Sequence, residues 1–70
     1  MEGHRQYRAT LSLLAEGAVI EQISEAPLSY RLKHAGESAP LPGAVVQQLL
    51  VHQRIRQSCR VSGRVVFVSV

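Results

Sequence analysis

The chain has no aspartate and no tryptophan, and among its 70 residues stand a single cysteine, a single lysine and three other aromatics, Tyr7, Tyr30 and Phe67. Its acids are five glutamates, Glu2, Glu16, Glu21, Glu25 and Glu37, each in a separate stretch, so no carboxylate pair or calcium loop can be drawn from spacing. Catalysis by paired carboxylates is thereby argued against. Cys59 has no partner for an intrachain disulfide, which fits a reducing, cytoplasmic setting. With so few aromatics, a sheet face on which bases stack is poorly supported. The five glycines are isolated and make no phosphate-cradling loop. His4, His34, His52 and Cys59 are the soft or borderline ligands, and none has the close spacing of a zinc site, so neither metal nor cofactor is implied. The longest aliphatic-aromatic run, Val65 to Val68, is far too short to span a bilayer, and MEGHRQYR lacks an apolar signal core, so no membrane association is expected. These gaps point to a binding protein rather than an enzyme.

What the chain does have is an uneven charge. Residues 41–70 hold Arg54, Arg56, Arg60 and Arg64 with no acid, a balance of +4, whereas residues 1–40 set four basic groups against all five acids, a balance of −1. Apolar residues at 46% suffice for one compact core, and the length allows a single domain over residues 1–70. A domain of this size is marginally stable without a staple, which makes self-association as a homodimer a reasonable expectation.

Tyr7, Leu11, Leu14 and Ala18 recur at i, i+4, i+7 and i+11, the stripe of a first helix from Arg5 to Glu16 with Gly17 as its left-handed stop. Val19–Ile23 is β-branched. After the turn-like Ser24–Pro27, strict alternation puts Leu28, Tyr30 and Leu32 on one face and Ser29, Arg31 and Lys33 on the other, giving a first hairpin. Residues 34–43, with two glycines and two prolines, read as a loop ending in a helix start at Pro42. A second helix follows to about Gln53, burying Val45, Val46, Leu49 and Leu50 and turning Gln47, Gln48 and His52 outward. A two-residue turn at Ser62-Gly63 then pairs Val61 with Arg64, Cys59 with Val66, Gln57 with Val68 and Ile55 with Val70. On that register Ile55, Cys59, Val61, Val66, Val68 and Val70 face inward, and Arg56, Ser58, Arg60, Val65, Phe67 and Ser69 face outward.

The expected architecture is an α+β, winged-helix-like domain in the order helix, hairpin, helix, hairpin. Gln47 and Gln48 on the second helix are suited to adenine edges, and Arg54, Arg56, Arg60 and Arg64 to phosphates, so DNA is the first expected partner. The second is an acidic host protein docked on Arg56, Arg60, Val65 and Phe67, an exposed ring among guanidinium groups being a common interface composition. The run LAEGAVI, the tyrosine strand, LPGAVVQQLLVHQRI and the terminal RVSGRVVFVSV together resemble small winged-helix proteins, above all the YjhX-type toxin-like family and phage-borne relatives. That resemblance implies a nucleic-acid-binding module or, alternatively, a phage or mobile-element inhibitor of a host protein. One departure from its pattern is that only one helix fits between the two hairpins, so a helix-turn-helix pair is reduced at most to a single turn around Ser38 to Leu41.

Overall fold

The structure, a computed structural model, describes residues 2–70. Seven elements follow one another: α1 (Glu2–Ala15), β1 (Val19–Glu25), β2 (Leu28–His34), β3 (Glu37–Leu41), α2 (Gly43–Val51), β4 (Ile55–Val61) and β5 (Arg64–Ser69). All five strands join one antiparallel sheet in the order β3-β2-β1-β5-β4. The result is a compact α+β domain, and it is not a typical winged helix. The C-terminal hairpin is not a free wing, because β5 pairs with β1 and the two hairpins fuse into a continuous sheet.

Local chemistry accounts for most boundaries. Gly17, at φ +105°, closes α1, with its N–H donating to the Leu14 carbonyl and that of Ala18 to the Leu13 carbonyl. Pro42 is extended ahead of α2 and offers its carbonyl to the N–H groups of Val45 and Val46. The segment read from sequence as a loop, residues 34–43, instead contains β3. Ala35 and Gly36 both have positive φ, +52° and +81°, the requirement of a two-residue type I′ hairpin turn. Pro40 is tolerated there because β3 is an edge strand, where one missing N–H need not break a ladder. Ser62 and Gly63, at φ +52° and +79°, make the matching turn between β4 and β5, as their sequence predicts.

Both helices cover one face of the sheet. Leu14 of α1 and Val45, Val46 and Leu49 of α2 pack with Ile20, Tyr30, Leu41, Ile55 and Phe67 from the strands. One row of paired residues crosses this inner face, Ala39–Leu32–Ile20–Phe67–Gln57. Ile20, Val46 and Leu49 are fully buried, each removal from water stabilising the fold by about 1.5–3 kcal/mol. The Tyr30 and Phe67 rings meet at 6.4 Å between centroids, tilted by 59°.

This arrangement reverses the expected faces of the last hairpin. Val61–Arg64 and Cys59–Val66 pair as the turn dictates, but a bulge between Gln57 and Cys59 then shifts the register, so that Gln57 pairs with Phe67, Arg56 with Val68 and Ile55 with Ser69. A slip of one residue moves each later side chain to the other face. Phe67, which pairs with the buried Ile20 of β1, is part of the core and Val65 is half-buried against it, rather than both facing outward. Cys59, Val61, Val66 and Val68 lie on the face the helices leave open, and Val70 is exposed beyond the strand. Of the residues expected inside, Ile55 and Val66 are buried, the first beneath the helices and the second on the open face.

Core membership has a direct consequence for stability. Phe67→Ala should lower the unfolding free energy by about 3–5 kcal/mol, whereas Val61→Ala, on the open face, should change it by less than about 1 kcal/mol. Urea denaturation of both variants checks this; equal, small effects would show that Phe67 does not pack as described.

Candidate functional site

The face opposite the helices is built by alternation. Each strand sends every second side chain there, and paired residues in an antiparallel ladder share a face. One row runs Pro40–Arg31–Glu21–Val66–Cys59 across all five strands. Beside it lie Ser38, Lys33 and Val19 on one half, with Val68 and Arg56 on the other, and Arg64 and Val61 stand toward the β4–β5 turn. The face thus carries Arg31, Lys33, Arg56 and Arg64 against one acid, Glu21.

Glu21 organises the middle of this surface. Its side chain is only 8% exposed although no helix lies over it, and the same carboxylate oxygen, Oε1, meets Lys33 Nζ at 3.0 Å and Arg64 Nη1 at 3.5 Å. Both contacts are diagonal across the ladder, from β2 and β5 to the strand between them, the distance at which long side chains reach a neighbour two residues out of register. Hydrogen bonding from the Lys33 ammonium lowers the Glu21 pKa from its ordinary value. Burial opposes this, and the charges of Lys33 and Arg64 add to the lowering. Arg31 is held from the other side, its Nε and Nη2 donating to Ser38 Oγ at 3.3 and 3.2 Å. Lys33 and Arg64 are half in water and, like Arg31, positioned by neighbours, while Arg56 stands exposed beside them.

The residues singled out from sequence do not form one surface. Gln47 and Gln48 are exposed on α2, in the helix layer. Arg54 is exposed in the connection between α2 and β4, with its carbonyl accepting from the Val70 N–H at 3.1 Å. Arg56 and Arg64 stand on the open face. Arg60, paired with Val65, projects from the helix side of β4. The docking set Arg56, Arg60, Val65 and Phe67 is likewise divided, and its aromatic anchor is only 9% exposed. Arg31, Lys33 and Glu21 stand outside the sequence-derived candidate set, although the alternation of Leu28–Lys33 puts Arg31 and Lys33 together on one side of a strand.

Other polar groups gather less. The Tyr7 hydroxyl and His52 Nδ1 are 2.7 Å apart, tying α1 to the end of α2 with the rings edge to face. His34 Nε2 lies 3.8 Å from Glu16 Oε1 beside a shallow depression of about 270 Å³ lined by Leu13, Leu32, His34, Glu37, Ser38 and Ala39. Among the described residues no three His, Cys or Glu side chains converge as metal ligands; the side chain of His4 lies outside them. Nor is any described helix long and apolar enough to cross a membrane. Comparison with protein families, curated proteins and solved structures finds no match to this chain.

The lowered Glu21 pKa makes a pH-dependent contribution to folding. Because the folded value lies below the unfolded one, near 4.3, the stabilisation is full above that range and is lost as pH falls through the folded value. Thermal melts should accordingly find wild type above Glu21→Gln at neutral pH, with the gap closing below about pH 4. A gap that stays constant with pH would contradict the carboxylate's role.

Proposed function

We propose that this protein is a small nucleic-acid-binding module that holds duplex DNA by its phosphates on the open face of the sheet. The observation that carries the reading is the set Arg31, Lys33, Arg56 and Arg64 on one helix-free face, offset by Glu21 alone. Sequence-independent affinity for DNA comes mainly from cations that replace condensed counterions, and this face concentrates as much positive charge as the chain's whole surplus of +3. The sheet, not α2, is the contacting element in this reading, with Gln47 and Gln48 as solvated helix residues.

The geometry favours backbone over base readout. Five strands spaced by about 4.8 Å make a surface about 19 Å wide, too broad to enter a major groove about 12 Å across. Such a face lies across the groove's phosphate rims and reads no sequence. Single strands are served less well, since Tyr30 and Phe67 are both buried beneath the helices and leave no ring on the open face for a base to stack on.

Binding to a short random duplex, followed by fluorescence anisotropy against salt, tests this. With about three or four phosphates neutralised, log K should fall with log salt at a slope of about −3, so affinity drops about 60-fold between 50 and 200 mM salt. Arg31→Ala or Arg56→Ala should each weaken binding and reduce the slope by about 1, while Gln47→Ala with Gln48→Ala should leave both unchanged. No retardation at low salt, or dependence on the glutamines rather than the arginines, would overturn the proposal.

A further inference from the structure

The sheet has two free edges, and they are not alike. β3 is blunted by Pro40, which removes a donor, and carries the acid Glu37. β4 is seven residues long, Ile55–Val61, without proline or glycine, and six of its residues, all but Ile55, are exposed. Its only paired side faces β5, so its outer backbone groups are free to extend the ladder by another strand.

Charge decides what such a strand must be. The bulge beside Ser58 sends Arg56 to the open face and Arg60 to the helix side, so both faces of this edge carry a guanidinium, and neither β4 nor β5 contains a carboxylate. A second copy added edge to edge would bring both pairs of arginines into one ladder with nothing to offset them, an unfavourable arrangement. Basic and neutral segments gain nothing from these side chains. We propose that the β4 edge is a docking site for an extended acidic peptide segment of a partner protein, which adds as a sixth strand with carboxylates on both of its faces. Neighbouring glutamates, which point to opposite faces of the added strand, meet Arg56 above the sheet and Arg60 below, while Val61, half-exposed on the open face, receives an apolar side chain near one end. The site shares Arg56 with the phosphate-binding surface and differs from it in kind, since it recognises a backbone in the β conformation as well as charge.

A labelled peptide in which pairs of glutamates alternate with pairs of valines, so that each face of the added strand carries carboxylates, is the probe, added to the full chain and read by anisotropy and by amide hydrogen exchange. Saturable binding with new protection at β4 amides is expected, weakened about tenfold or more by Arg56→Glu combined with Arg60→Glu and unchanged by Arg31→Ala with Lys33→Ala. The same peptide with two valines replaced by proline keeps its charge but not its ladder, and should not bind. Equal binding of the proline peptide, protection at β3 instead of β4, or protection of β4 without peptide as the protein's mass rises with concentration would each overturn the proposal, the last in favour of self-pairing. Because the decisive controls lie in the peptide, a variant that fails to fold leaves the test standing. Loss of DNA binding in the Arg31 and Lys33 variant with peptide binding intact would separate the two sites.

Discussion

One extra residue in β4 lets Ile55 and Phe67 share the core and turns Arg56 to the opposite face. The Ser62-Gly63 turn alone would put Ile55 on the same face as Cys59 and Val66, and the helices would have to choose between Ile55 and Phe67. The bulge beside Ser58 removes the conflict, so that Ile55 and Phe67 both pack beneath α1 and α2 with Ile20. Once that face is fixed, alternation assigns the remaining side chains. Arg31, Lys33, Arg64 and Arg56 then come together on the other side, with Glu21 in their midst.

Much of the local structure is legible in the residues. The stripe of Tyr7, Leu11 and Leu14, the stop at Gly17, the buried Val45, Val46 and Leu49, and the two sides of Leu28–Lys33 all follow from period and propensity. So does the corner at Ser62-Gly63. β3 was hidden because Pro40 argues against a strand unless it lies at an edge, and edge position is a property of the whole sheet. Ala35-Gly36 has the same residue-then-glycine form as Ser62-Gly63 and was the available clue to it. The bulge was not legible, because Gln57-Ser58-Cys59 contains no glycine or other marker. That feature parts Arg56 from Arg60 and sets Arg56 on the face of Arg64, a grouping that residue type and alternation alone do not give.

The centre of the open face shows how a charged surface can be ordered without a covering layer. Glu21 is shielded by its own neighbours, and it holds two cations at positions that the strand register sets. Individually, such partly exposed pairs contribute little to stability. Their consequence is geometric: Lys33 and Arg64 are aimed from a common point, with Arg31 tethered by Ser38 beside them. The edge strand uses its arginines differently, one to each side, which protects it from its own kind and leaves it open to opposite charge.

The central claim is that the sheet's helix-free side is the working surface. Mapping amide chemical shifts of the full chain on addition of a short DNA duplex tests it most directly. The account predicts perturbations at Val19, Glu21, Arg31, Lys33, Arg56, Arg64 and Val66, which diminish together as salt is raised. Perturbations confined to Gln47, Gln48 and the rest of α2, or none at all, would contradict it.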